Sequence, residues 1–227
     1  MRTYEDLLAE LVTERLRLRR WVPADAEEYR GLWLERDPRS LRRIDAEGRP
    51  TAEDIRGWLL DNPLAADPGL GLLPIELRDT GEFIGYCGLI VGQASLDEPE
   101  LAYELAQRAH GHGYATEAAR AVVEAATRTG RRRLWATVRE WNAPSFRVLE
   151  KLDFHRSERV TEDAERGNSI WMTRVLDPRQ RPDIGRDPLL EVHPIKRSCF
   201  DASEQKGSAL PSTGGAGLPA CRLTREG

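Results

Sequence analysis

The run Arg108-Ala109-His110-Gly111-His112-Gly113-Tyr114-Ala115-Thr116-Glu117-Ala118 sets two glycines two positions apart at the opening of a helix-forming stretch. Glycine carries no Cβ, so a phosphate can approach the backbone closely there. A helix beginning near Gly113 presents unpaired N–H groups and the positive end of its dipole. The strand-like run Leu101-Ala102-Tyr103-Glu104-Leu105 precedes it. Strand, glycine turn and helix start together predict an anion seat. Downstream, Asn142-Ala143-Pro144-Ser145 adds a side-chain amide and a hydroxyl at the head of a second short helix. The pair of signals points to a cofactor with a pyrophosphate. A nucleotide-binding P-loop is excluded, because no Gly-Lys-Ser/Thr follows the glycines.

These residues need elements to hold them. Arg15-Leu16-Arg17-Leu18-Arg19 alternates strictly and predicts a strand with one wet face, its arginines outward. Pro23 to Glu35 predicts a helix. Asp37 to Pro50 is charged and irregular, as a loop over a site would be. Thr51 reads as an N-cap with Asp54 three positions on, and that helix is expected to stop at Asn62-Pro63. Gly71–Leu77 and Glu82–Val91 predict a hairpin around Asp79-Thr80-Gly81. Leu101–Ala106 is a third such strand, with Glu100 and Glu104 on one side of it and Tyr103 on the other. The helix from Gly113 turns Ala115, Ala118, Ala119, Val122 and Ala126 inward and stops at Gly130. Leu134, Ala136 and Val138 alternate along another strand. Asn142–Leu152 predicts a helix, and Phe154–Thr161 and Ser169–Leu176 two final strands.

The 227 residues are 40% hydrophobic and 32% charged, with a net charge of −4. That is the profile of one soluble domain with a core, and it gives no reason to expect nucleic-acid binding. Cys87, Cys199 and Cys221 are too few and too far apart for a disulfide framework or a zinc site, which suits a cytoplasmic setting. The start of the chain has no signal-peptide core, and no apolar run is long enough to cross a bilayer. A domain over residues 10–178 is expected, followed by a Pro-, Gly- and Ser-rich flexible tail over 179–227.

Glycine loop, helix and Asn-x-x-Ser segment, in this order, resemble the GNAT superfamily of N-acetyltransferases. The superfamily's [Gln/Arg]-x-x-Gly-x-[Gly/Ala] signature is met by Arg108, Gly111 and Gly113. Gly113-Tyr114-Ala115-Thr116-Glu117-Ala118, Glu82-Phe83-Ile84-Gly85, Asn142 to Leu152 and Thr13 to Arg19 are similar to the Rim-type branch that acetylates ribosomal-protein N-termini. Two positions depart from the pattern. Asp153 stands where the family has Gly, and His110 where relatives often place Trp. Asp tolerates a left-handed backbone better than most residues, so the turn can survive.

The resemblance implies an α+β fold: a central, mostly antiparallel mixed sheet of about six to seven strands flanked by about four helices. It implies acetyl transfer from acetyl-CoA to a primary amine, a protein N-terminus or a small molecule, by direct attack in a ternary complex. Leu105, Ala106 and Gln107 would pair with the pantetheine arm. The seat from Arg108 through Gly111, His112, Gly113, Tyr114 and Ala115 would hold the pyrophosphate, and Asn142 would position the arm. Ser145 would act as acid towards the CoA thiolate, or simply cap its helix with Asn142. Glu104 would act as base, or be an exposed strand carboxylate. Glu117 reads as a carboxylate suited to a helix start. No metal is expected, since His110 and His112 lack further ligands. Asp37, Asp45 and Glu47 would form an acidic patch favouring a cationic acceptor. Arg147 and Lys151 could meet the CoA 3′-phosphate or be solvated helix charge. A non-catalytic acyl-CoA-binding module would use the same glycine loop without Ser145 or Glu104. No membrane or nucleic-acid partner is expected, and monomer and homodimer both remain open.

Overall fold

Leu134, Ala136 and Val138 are buried, while Arg133, Trp135, Thr137 and Arg139 between them are only partly covered. Such alternation makes a strand with one core face. The computed structural model describes residues 10–40, 42–60 and 70–177. Within them run β1 (Leu11–Val12), β2 (Leu16–Leu18), α1 (Ala26–Leu34), α2 (Ala52–Leu60), β3 (Gly71–Leu77), β4 (Phe83–Ile90), β5 (Glu100–Leu105), α3 (Tyr114–Arg128), β6 (Arg133–Arg139), α4 (Ala143–Glu150), β7 (His155–Thr161) and β8 (Ser169–Val175). The strands form one eight-stranded sheet in the order β1-β2-β3-β4-β5-β6-β8-β7. Every neighbouring pair is antiparallel except β5 and β6. The expected α+β class and four helices are present. The sheet has one strand more than the six to seven expected. That strand is β1, whose two residues are too short to show a period.

Local chemistry explains the boundaries. The expected helix from Pro23 opens as a 3₁₀ turn over Pro23–Asp25, where Asp25 accepts the Val22 N–H at 2.9 Å, before α1 begins. At α2 the Thr51 N–H donates to Asp54 Oδ2 at 2.8 Å and the Asp54 N–H to Thr51 Oγ1 at 3.2 Å, a reciprocal capping box. Asp153 adopts φ +57°, so the residue standing for the family's glycine does take the left-handed turn after α4. The helix stop at Asn62-Pro63 and the tail over 179–227 lie outside the described residues.

Two hydrophobic layers sandwich the sheet. On one face, α3 and α4 cover Leu16, Leu18, Ile75, Cys87, Leu89, Leu134 and Val138. Of its predicted stripe, helix α3 buries Ala118, Ala119, Val122 and Ala126 while Ala115 at its start is only partly covered, and Ala121, Val123 and Ala125 are also inside. These small side chains let it lie close to the sheet, and a large residue at Ala118 would overpack it at a cost of about 1–3 kcal/mol. On the other face, α1 and α2 close a smaller aromatic cluster around Trp33, Phe83 and Tyr86, with Trp21, Tyr29 and Trp58 against it.

Candidate active site

The parallel pair is where the sheet comes apart. β5 and β6 share a single register pair, Glu100↔Trp135. The Trp135 N–H donates to the Pro99 carbonyl at 3.0 Å and closes the base of the gap. Beyond that point the two strands splay. The Ala106 N–H donates to the Ile84 carbonyl at 2.9 Å. Backbone groups alternate along an antiparallel ladder, so Ala102, Glu104 and Ala106 aim theirs at β4. Tyr103 and Leu105 therefore aim theirs into the gap. Of the three residues expected to pair with a cofactor arm, Leu105 alone faces the gap, with its N–H open and its carbonyl met by the His110 ring at 3.0 Å. The Gln107 N–H is taken by the Glu35 carboxylate at 2.7 Å.

Above the gap the chain makes a 3₁₀ turn over Gln107–Ala109 and enters the glycine loop. Gly111 and Gly113 both take left-handed backbones, φ +81° and +82°, which residues with a Cβ adopt at a cost. Gly113 is the N-cap of α3 and has no side chain to satisfy the first turn. The first intrahelical bond runs from the Glu117 N–H to the Gly113 carbonyl at 3.1 Å. The N–H groups of Gly111, His112, Gly113, Tyr114 and Ala115 thus have no protein partner among the described residues. Unpartnered amides grouped at a helix start fit a diphosphate.

A strut underlies this loop. Glu117 accepts the Thr13 hydroxyl at 2.6 Å, the Arg15 N–H at 2.9 Å and the Arg15 Nε at 2.7 Å. Arg15 also donates to the His112 carbonyl at 3.1 Å and lies over the Tyr114 ring at 4.7 Å. The His112 and Tyr114 rings stack. Arginines expected merely to line a wet strand face are thus in part structural: Arg19 grips Asp25 and Glu76 at 2.7 Å each. The Arg108 side chain turns away from the loop, donating to Glu82 and to the Phe83 carbonyl at 2.6 Å each. The His110 ring lies 3.0 Å from the Leu105 carbonyl.

On the α4 side, the Asn142 side chain accepts the Ser145 N–H at 3.3 Å and caps the helix. The Ser145 main-chain carbonyl accepts the Tyr103 hydroxyl at 3.2 Å. Burial pushes the Tyr103 phenol up.

On the opposite face Glu104 accepts from Arg36 through both carboxylate oxygens, at 2.6 Å on Oε1, and from the Tyr86 hydroxyl at 2.7 Å. The Arg36 guanidinium lies 4.4 Å over the Trp33 ring and donates to the Arg42 carbonyl at 3.0 Å. Glu104 is therefore not the exposed strand carboxylate it could have been, since Arg36 and Tyr86 both donate to it. The loop between α1 and α2 is held to both arms of the splay. Arg36 fixes it to β5, and Arg39 lies 4.0 Å over Trp141, just after β6.

The expected acidic patch is corrected by the same loop. Asp37 pairs with Arg39 at 2.9 Å, and Asp45 and Glu47 pair with Arg49 at 3.1 and 3.2 Å. Arginine hydrogen bonds hold Asp37 down to about 2 and Asp45 below its ordinary range. Two arginines thus meet the three acids, Arg49 serving both Asp45 and Glu47, so most of the negative field that would draw a cationic acceptor is cancelled in place. The spacings Asp37-x-Arg39 and Asp45-x-x-x-Arg49 carried that signal. Sequence reasoning also missed the burial of Glu100. Its carboxylate accepts the Gln93 N–H at 2.6 Å and the Thr137 hydroxyl at 2.9 Å, tying the loop before β5 to β6 at the root of the splay. No group of three or more His, Cys, Asp or Glu able to hold a metal occurs among the described residues. No helix among them is long and apolar enough to cross a membrane.

Comparison with known proteins bears on this geometry. A family model described as an acetyltransferase (GNAT) domain matches residues 15–155. The uncharacterized protein YkkB of Bacillus subtilis (strain 168) is 33% identical over 153 residues, 66% of this chain and 87% of its own. The uncharacterized N-acetyltransferase p20 of Bacillus licheniformis is 27% identical over 158 residues, 69% of this chain and 87% of its own. Among solved structures, Mycobacterium smegmatis RimJ in complex with CoA-disulfide superposes with a TM-score of 0.62 at 20% identity, covering 76% of this chain and 90% of that one.

Proposed function

The chain belongs to the GNAT acetyltransferase family and is an acetyl-CoA-dependent N-acetyltransferase, and we propose that it acetylates a primary amine, a protein N-terminus or a small molecule, by direct attack in a ternary complex. The observation that carries this reading is the splay between β5 and β6, opening beside five unpartnered amides. A pantetheine arm laid in the splay meets the backbone of Leu105 and Tyr103 as an added strand would. Its diphosphate then rests on Gly111, His112, Gly113, Tyr114 and Ala115. One splay-facing N–H polarises the thioester oxygen, the kind of fixed donor that stabilises a developing oxyanion.

The remaining roles follow the same geometry. Asn142 sets the first turn of α4, and Ser145 stands in that turn on the thiolate side. Glu104 lies across the sheet from Tyr103 and takes the amine proton through water. The Arg36 and Arg39 contacts hold the loop between α1 and α2 as a wall of the acceptor side. A protein N-terminus as acceptor is supported by the likeness to Rim-type structures, one of them described as a ribosomal L7/L12 α-N-protein acetyltransferase.

Labelled acetyl-CoA, screened against peptides with varied N-terminal residues and a panel of small amines, tests this reading. It predicts label transfer to at least one amine, intersecting initial-rate patterns and no acetyl-enzyme by mass spectrometry. Parallel patterns with a trapped acetyl-enzyme would overturn direct attack.

A further inference from the structure

Tyr103 is a titratable side chain that the roles above leave without a task. Its backbone faces the splay, and its ring leaves the sheet on the face covered by α3 and α4. Its hydroxyl reaches the Ser145 carbonyl at 3.2 Å, in the first turn of α4. The ring thus reaches from one arm of the splay to the helix that follows the other. A departing sulfur would sit between these two elements. Two hydroxyls converge there, an alcohol on Ser145 and a phenol on Tyr103. Free in water, a phenol is closer to a thiol in acidity than an aliphatic alcohol is, and although burial raises this one it remains the better donor of the two. Burial keeps it protonated at neutral pH.

We propose that Tyr103 is a catalytic residue, the proton donor to the thiolate released from acetyl-CoA, with Ser145 holding the first turn of α4 against it. This rests on the acetyl-transfer reading above. As the carbon–sulfur bond breaks, sulfur keeps the electron pair. The Tyr103 O–H turns from the Ser145 carbonyl to that sulfur and gives up its proton. Glu104 takes the proton that the acceptor nitrogen loses on becoming an amide and releases it to solvent, and solvent returns one proton to the phenolate, so each group ends the cycle as it began. Thioester and amine enter, amide and thiol leave, and Tyr103 is unchanged.

The test compares wild type, Tyr103→Phe and Ser145→Ala by steady-state kinetics, by calorimetry with CoA, and by ultraviolet titration of the thiolate of bound CoA. Tyr103→Phe is expected to lower kcat about 100-fold, with the KM for acetyl-CoA within about threefold. The thiolate fraction of bound CoA at pH 8 is expected to fall several-fold, because a phenol donor stabilises the thiolate. With acetyl-selenocoenzyme A, whose selenolate leaves without a proton, the kcat defect is expected to shrink at least about tenfold. Equal defects with both esters, an unchanged thiolate fraction, or the whole effect in Ser145→Ala would overturn the proposal. If Tyr103→Phe folds poorly, fluorotyrosine at 103 keeps ring and hydroxyl and must raise the thiolate fraction; no change overturns the proposal equally. Wild type that neither binds nor consumes acetyl-CoA would refute the acetyl-transfer reading itself.

Discussion

Arg15 and Glu117, 102 positions apart, meet through the Arg15 Nε at 2.7 Å and its backbone N–H at 2.9 Å. The pair places a cation beneath the glycine loop and ties that loop to the edge of the sheet. It also offsets a carboxylate that would otherwise oppose a diphosphate at the start of α3.

Glu117→Gln is therefore expected to raise the KM for acetyl-CoA several-fold with little change in kcat, and to cost about 1 kcal/mol. The melting temperature at pH 7 should fall by about 2–4 °C. Despite partial burial, bonds from Thr13 and Arg15 hold Glu117 below its ordinary 4.5. A carboxyl lowered on folding stabilises above its unfolded value, and that contribution fades as pH falls through the folded one. The wild-type advantage over Glu117→Gln should thus be full above the ordinary 4.5 and shrink as pH falls below it. Thermal melts across pH 3–7 check this.

Arg36 and Glu104 are a part-buried pair whose side chains keep 13% and 21% of their exposure. A double-mutant cycle with Arg36→Met and Glu104→Gln is expected to give a coupling of about 2 kcal/mol in stability. The activities should divide differently. With Glu104 as base, Glu104→Gln lowers kcat about 100-fold. Arg36→Met mainly raises the acceptor KM by loosening the loop. Equal kcat losses in the two variants would leave Glu104 as the loop's anchor alone.

Asp153 holds φ +57° after α4. Asp153→Gly relieves a left-handed backbone at some cost in unfolded-chain entropy, for a net gain of about 0.5 kcal/mol. The melting temperature should rise by about 1–2 °C with activity unchanged, as scanning calorimetry would show.

What could be read in advance, and what could not, follows from the range of each interaction. Gly111, Gly113 and Asp153 announce their backbones, because few residues tolerate a left-handed turn. Thr51 and Asp54 announce a cap because the partners are three residues apart. Alternation placed Tyr103 and Glu104 on opposite faces, and so they are. Alternation does not say what a side chain meets. Arg36 reaches Glu104 across 68 positions, and Tyr103 reaches Ser145 across 42. Those distances are closed by the sheet order, which no local pattern encodes. The same holds for Ala106, whose N–H was expected in the cofactor groove and is spent on Ile84.

Calorimetric titration of acetyl-CoA into wild type and Gly111→Glu tests the central claim, that the amides around the paired glycines seat the diphosphate. A Cβ at Gly111 meets nothing in the protein within 4 Å, so added bulk there enters the ligand's space, and its charge opposes the phosphates. The account predicts a clear binding isotherm for wild type and affinity weakened at least about 100-fold in the folded variant. Equal affinity in the two proteins would contradict it.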